Sequence, residues 1–334
     1  MTADLRSIET EFETAQQDFI RLQSALEATI VGQQQLIAEL LAAIFAGGHV
    51  LLEGLPGLGK THLAKALAAT MGMNLGRIQC TPDLMPADIT GSELLLQNEA
   101  GEQQFEFRHG PIFSSMVLVD EINRATPKTQ AALLEAMQEG QVTQAGQRHL
   151  LPSPFWVLAT QNPIEIEGTY PLPEAQLDRF LAKINIHYPD ADALLKMIDI
   201  SLDNEPAEHM GVILRPERVQ QIMALIQQLV IATPIKQAAV DLVLATHPAP
   251  ESSSSLATKH FRYGASPRGL QALLRIARVR AFIHGRAHVA LEDIRQAAIP
   301  ALRHRVLLNI ESELDGVDID SVLTELLNQW ERQQ

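Results

Sequence analysis

Residues 54–61 read Gly-Leu-Pro-Gly-Leu-Gly-Lys-Thr, the pattern G-x-x-x-x-G-K-[ST]. Each residue type has a physical reason to stand where it does. Gly54, Gly57 and Gly59 let backbone N–H groups turn toward anionic oxygens without a Cβ clash. A helix beginning at Lys60 adds the positive potential of its N-terminus. Lys60 can reach the outer phosphates of a nucleotide, and Thr61 can offer a hydroxyl to Mg²⁺. Leu55, Pro56, Leu58 and His62 complete the stretch that would surround the phosphates; His62 either touches a phosphate or only packs. The plain alternative is a ligand-free strand–helix turn, but an apolar strand precedes this loop and a helical pattern follows it.

A second acidic feature belongs with the first. Met116-Val117-Leu118-Val119-Asp120-Glu121 is an apolar strand that ends in two acids. Carboxylates at the end of a buried strand are costly without a partner or a task. Asp120 fits as the Mg²⁺ partner, directly or through water. Glu121 fits as the base that orients and polarises an attacking water. Read alone, the string could equally start a helix; the upstream phosphate loop makes the catalytic reading the stronger one.

Three further positions are weaker signals. Asn162 follows the buried strand Phe155–Thr160, where residues past strand C-termini line the ligand crevice of an α/β sheet. It is placed either to contact a γ-phosphate or water, or to make an ordinary Asn-Pro turn. Arg179, in Asp178-Arg179-Phe180, reads as a surface residue or as the ion-pair partner of Asp178. Arg268, in Ser266-Pro267-Arg268-Gly269, reads locally as an exposed residue at a helix start.

The elements that must position these residues alternate. His49–Glu53 is a short buried strand running into the glycine loop, and Lys60–Met71 is a helix. Apolar runs at Ser115–Val119, Phe155–Thr160 and Ala182–His187 read as strands, with a helix at Pro127–Glu139. Such alternation implies a parallel sheet covered on both faces. Ser92–Phe107, turning around Asn98-Glu99-Ala100-Gly101, and Gln141–Leu151, turning at Ala145-Gly146, read as hairpins. Helices are expected at 4–28 and 33–46. After Tyr188-Pro189 the strands stop. Helices are expected at 191–202, 215–230, 235–247, 267–284, 291–302 and 318–332, with a Pro/Ser-rich loop at Pro248–Ser255. The expected division is a nucleotide-binding unit at 1–189, including an N-terminal helix at 1–28, and a helical unit at 190–334.

Composition narrows the class. The 334 residues are 46% hydrophobic and only 4% aromatic, so the core is mostly aliphatic, and the net charge is -14. That balance argues against general attachment to nucleic acid or an anionic membrane. The lone Cys80 excludes an internal disulfide, reads as a small buried hydrophobe and fits a reducing cytoplasm. No signal-peptide pattern is expected, and Leu36–Leu52 is too short and broken to span a bilayer. Between Arg262 and Ile310 stand nine arginines, no lysine and two acids, a net of +7. This reads either as a solvated helical face or as a basic surface facing an acidic neighbour.

Taken in order, these strings resemble the MoxR family of AAA+ ATPases, within the helix-2-insert clade. The resemblance runs from about Val31 to Pro300. It is carried by Gly54–Thr61, Asp83–Gly91, Gly110–Phe113, Asp120–Ala125, Ala159–Pro163 and Gly168–Phe180. It implies a three-layer αβα P-loop core with a C-terminal all-α lid, ATP bound between them, and Mg²⁺. By resemblance Asn162 is the sensor-1 residue, Arg179 an arginine finger acting on a neighbour's ATP, and Arg268 the sensor-2 residue that couples the lid to the γ-phosphate. Val31 and Gly32 flank the adenine. Arg124 and Arg148 are alternative interface arginines, and the hairpins correspond to the helix-2 insert and the pre-sensor-1 hairpin, which lie toward the central pore of a ring.

The implied function is ATP hydrolysis at inter-subunit sites of a homo-oligomeric ring, a hexamer, in the cytoplasm. The implied work is chaperone-like remodelling or maturation of protein complexes with a von Willebrand factor A-domain (VWA) partner. Two alternatives stand beside it. One is the motor of a chelatase-like or nucleic-acid-acting assembly. The other is an ATP-gated assembly module that does not hydrolyse, against which Lys60, Asp120, Glu121 and Asn162 all count.

Overall fold

A computed structural model describes residues 2–97, 103–144, 146–164, 168–202, 211–248 and 255–333. Its centre is a parallel five-stranded sheet of β1 (Val50–Glu53), β2 (Leu75–Gln79), β5 (Met116–Asp120), β8 (Trp156–Gln161) and β9 (Ala182–Asn185), in the order β2-β5-β8-β1-β9. All four pairings are parallel, so the C-terminal ends of the strands share one edge.

Period-2 alternation explains the layers. Val50 and Leu52 of β1, Met116 and Leu118 of β5, and Trp156 and Leu158 of β8 face one hydrophobic core. It is shared with α1 (Thr2–Thr29), α2 (Gln34–Phe45) and α3 (Lys60–Thr70). Leu51, Val117, Val119, Val157 and Ala159 face a second core beneath α5 (Pro127–Glu139), to which Ile89 of the short α4 (Pro86–Thr90) contributes. The central strands are thus apolar on both faces, as a sheet sandwiched by helices requires.

The strand β2 was not expected. Its buried Gly76 and Ile78 alternate with Leu75, Arg77 and Gln79, so it shows no apolar run. It is an edge strand, and its polar residues project toward the acidic end of β5. The two hairpins form as expected, β3 (Gly91–Gln97) with β4 (Gln103–His109) and β6 (Gln141–Gln144) with β7 (Gln147–Leu150). The turn at Asn98–Gly101 and residue Ala145 lie outside the described residues. The hairpins meet where Phe107 stacks on His149 at 4.1 Å, and His109 of the first stacks on Phe113 just after it at 4.0 Å.

After α6 (Glu174–Leu177) and β9 the chain is mainly helical: α7 (Ala191–Leu202), α8 (Pro216–Gln227), α9 (Thr233–Ala245), α10 (Ser255–His260), α11 (Pro267–Ile283), α12 (Leu291–Leu302), α13 (Ile310–Leu314) and α14 (Ile319–Glu331). The expectation that strands stop at Pro189 needs correction. β10 (Phe261–Tyr263) and β11 (Leu307–Leu308) form a small antiparallel ladder, too short to show alternation in sequence. Most of the Pro248–Ser255 loop lies outside the described residues.

Helix α1 joins the two regions. Phe19 meets Phe45 at 4.9 Å and Phe282 of α11 at 6.0 Å, and Phe12 meets Phe282 at 5.3 Å. Asp18 pairs with Arg218 of α8 at 2.7 Å. The arginines of 262–310 are only partly available for either expected reading. Four of them are consumed inside the chain, as Arg286–Asp293, Arg295–Glu331, Arg303–Asp320 and Arg305–Asp178 pairs. No described helix is long and apolar enough to cross a membrane.

Candidate active site

The glycine loop leaves β1 at the shared C-terminal edge of the sheet. Gly57 and Gly59 hold φ of +82° and +78°, a region closed to most L side chains, and a Cβ at either would project into open space. Helix α3 starts directly at Lys60, whose Nζ donates to the carbonyls of Gly54 and Gln161 across the loop. The loop, Lys60, Thr61 and His62 line a cleft of about 450 Å³ with Asp120, Glu121, Thr160 and Asn162. Residues from three strand ends thus converge on one place. His62 is exposed and faces this cleft.

The acids are held by a network that sequence alone did not reveal. Asp120 is 7% exposed. Its Oδ2 accepts from Arg77 Nε at 2.9 Å, and its Oδ1 from the Thr160 hydroxyl at 3.5 Å. The same hydroxyl accepts from the Glu121 N–H at 2.9 Å. Glu121 has φ +56°, the one non-glycine residue with positive φ among the described residues. Such a backbone costs roughly 1–3 kcal/mol and persists where the surroundings enforce it. Its Oε2 accepts from Arg124 at 3.0 Å and from Gln79 at 3.4 Å. Asn162 is buried at 5% exposure, and its Oδ1 accepts from the Ile164 N–H at 3.2 Å, the turn bond expected of an Asn-Pro step. It nevertheless lines the cleft beside Glu121.

Cys80 lies beneath the acids, 1% exposed. Burial, reinforced by the Asp120 and Glu121 charges, pushes its thiol up to about 12, so it behaves as a hydrophobe.

Arg179 and Arg268 lie elsewhere. Both line a cavity of about 310 Å³ with Gly47, His49, Arg275 and Arg305, at the N-terminal end of β1. Four strand residues at about 3.3 Å each separate that end from the glycine loop by roughly 13 Å. One chain therefore does not unite Arg268 with its own phosphate loop. Arg179 Nη1 donates to the Leu134 carbonyl at 2.7 Å. Of the two readings open for Arg179, the ion pair with Asp178 does not form. Asp178 takes Arg305 at 2.7 Å and the Ser266 hydroxyl at 3.0 Å, and Ser266 caps α11 by accepting from the Arg268 N–H. Asp178 thus fixes the helix start that presents Arg268.

Gly32, φ +74°, lines a further cavity with Asn185, His187, Tyr188 and Arg303, past the end of β9 on the same edge as the glycine loop. A Cβ on Gly32 would meet the Ala193 Cβ at 2.4 Å, so glycine is needed for α7 to approach. Val31 precedes it in the same turn; Leu58 packs into the core below the loop, and Leu55 is half-buried. Arg148 is exposed on β7.

Residues 49–182 match the ATPase family associated with various cellular activities (AAA), and residues 253–326 match the AAA lid domain. Among relatives, the chain is 40% identical to the uncharacterized protein YeaC of Bacillus subtilis (strain 168) over 91% of both chains. It is 38% identical to Chaperone MoxR1 of Mycobacterium tuberculosis, across 89% of this chain and 78% of that one. It is 35% identical to Protein MoxR of Methylorubrum extorquens over 90% of both. A crystal structure of a Cytophaga hutchinsonii protein, proposed to be an ATPase, superposes with a TM-score of 0.89 at 38% identity, covering 97% of this chain and 98% of that one. With the αβα core, the helical C-terminal region and the converging glycine loop and acids already in place, the chain belongs to the MoxR family of AAA+ ATPases.

Proposed function

We propose that this protein hydrolyses ATP at Mg²⁺-dependent sites shared between neighbouring subunits of a homo-oligomeric ring, a hexamer by analogy with the family. The observation that supports this most is the meeting of Lys60, Thr61, Asp120, Glu121 and Asn162 in one cleft. The site fits the groups it would take. Open-backed glycines at Gly57 and Gly59 offer N–H groups to phosphates. Thr61 and Asp120 offer a hydroxyl and one buried carboxylate, the sparse protein set that magnesium accepts alongside phosphates and water. When bound, MgATP supplies the transferable phosphoryl group and neutralises its charge.

The chain's residues have these roles in the proposed reaction. Lys60 holds the outer phosphates. Glu121 takes the proton of the attacking water at its carboxylate, oriented by its fixed αL backbone and the Thr160 hydroxyl. Asn162 fixes the water or the γ-phosphate. Val31 and Gly32 flank the nucleoside end. Arg179 and Arg268 act together on the neighbour's phosphates from their common cavity, because neither reaches its own loop. An arginine supplied in trans can raise turnover by ~10³–10⁵.

The relatives named chaperone and MoxR support a role in remodelling or maturing protein complexes, and the family analogy adds a VWA-domain partner and a cytoplasmic setting. We place the domain boundary near residue 189, where Gly32 and α7 meet.

Nucleotide binding and turnover test the reading separately. Lys60→Ala is expected to lose ATP binding, and Glu121→Gln to bind ATP without hydrolysing it. Unchanged ATP affinity in the first, or full turnover in the second, would remove the corresponding assignment.

A further inference from the structure

We infer that Arg77 is a positioning residue that holds Asp120 as an internal counter-cation and competes with the metal for that carboxylate. The inference rests on the reading of Asp120 as the magnesium partner. Arg77 Nε lies 2.9 Å from Asp120 Oδ2, while the Arg77 side chain remains 55% exposed and lines the phosphate cleft. Its Nη2 also donates to Gln79 Oε1 at 3.1 Å, and Gln79 in turn reaches Glu121. The guanidinium therefore sits where a cation beside Asp120 must act, and it arrives from the sheet edge on β2 rather than from the loop.

The energetics allow exchange. Asp120 is nearly buried, so leaving its charge unpaired would be costly. Arg77 is solvent-accessible, so its hold on Asp120 is weak enough for a divalent ion with phosphates to displace it. The second lone-pair side of Asp120 stays on Thr160, so the carboxylate keeps its direction while the cation changes. Arg77 then raises the metal concentration needed to fill the site and keeps Asp120 placed until it is filled.

The test is a titration of free Mg²⁺ into protein saturated with a fluorescent ATP analogue, in the wild type, Arg77→Gln, Arg77→Lys, Asp120→Asn and the Arg77→Gln/Asp120→Asn pair. Thermal melting confirms that each variant folds. Arg77→Gln is expected to lower the half-saturating Mg²⁺ by about threefold to fivefold, the scale of a half-exposed ion pair. Arg77→Lys should return most of the way to wild type, and Arg77→Gln should have no effect once Asp120 is Asn. An unchanged or raised Mg²⁺ requirement in Arg77→Gln overturns the inference, as does an equal shift in the Asp120→Asn background, which would make Arg77 a phosphate contact. If Asp120→Asn itself leaves the Mg²⁺ requirement unaltered, the reading of Asp120 fails instead. Should Arg77→Gln not fold, Arg77→Lys decides, since weakening the fork alone must lower the Mg²⁺ requirement by a smaller factor.

Discussion

At Thr160 one buried hydroxyl serves both acids, accepting from the Glu121 N–H and donating to Asp120. Thr160→Val keeps the shape and removes the hydroxyl, so the Glu121 N–H is left without its partner. An unpaired buried donor costs about 1–3 kcal/mol, which urea unfolding would read. Turnover should fall with ATP affinity nearly unchanged, because the loop and Lys60 are untouched. Normal kcat in a folded Thr160→Val protein would show that the hydroxyl does not position Glu121. At this scale sequence was legible where residue type and spacing coincide, as at Lys60, Thr61, Asp120 and Glu121. Arg77, Gln79 and Thr160 were not, because their task is defined by side chains brought together across strands. Asp178 illustrates the same point: of the two readings open for Arg179, pairing with its sequence neighbour is not taken, and Asp178 finds Arg305, 127 positions away.

Among the elements, β1 is tied into the fold by a histidine. His49 shares its ring between the Met137 carbonyl of α5 and the Val157 N–H of β8, each at 3.0 Å. Burial lowers its pKa to about 4. His304, past α12, bonds the Phe180 carbonyl at 3.1 Å, and burial lowers its pKa well below the ordinary value. Both rings are neutral when folded, so the unfolded chain takes up protons first as pH falls. Their stabilisation is complete above about pH 6.5 and declines as the pH drops from there, for His49 down to about 4 and by on the order of 3 kcal/mol. Urea unfolding between pH 7.5 and 4.5 should show this decline, and His49→Gln should flatten part of it. An identical pH slope in wild type and His49→Gln would contradict the assignment. Elements with an apolar run or a long periodic face were readable from sequence. The strand β2 was not, since an edge strand alternates polar and apolar residues, and neither was the β10–β11 ladder, which is too short to have a period.

In the whole molecule, the glycine loop and the Arg179–Arg268 cavity occupy opposite ends of β1. Sequence could show both sets of residues but not that they are too far apart to serve one nucleotide. The same distance changes the meaning of the basic segment: four of its nine arginines brace the chain, while Arg268 and Arg275 join Arg179 and Arg305 in a cavity where Asp178 is the one acid among the described lining residues. An anionic group is the occupant that such a cavity suits, and the proposed reading draws it from a neighbouring subunit. The most direct test of a shared site is the ATPase rate of Arg179→Ala and Glu121→Gln subunits, alone and mixed. Each alone should be nearly inactive. Mixed assemblies should regain activity, because an Arg179→Ala subunit still carries Glu121 and a Glu121→Gln neighbour still carries Arg179. No recovery in assemblies shown to contain both subunits, or full activity of Arg179→Ala alone, would contradict a site completed by the neighbour.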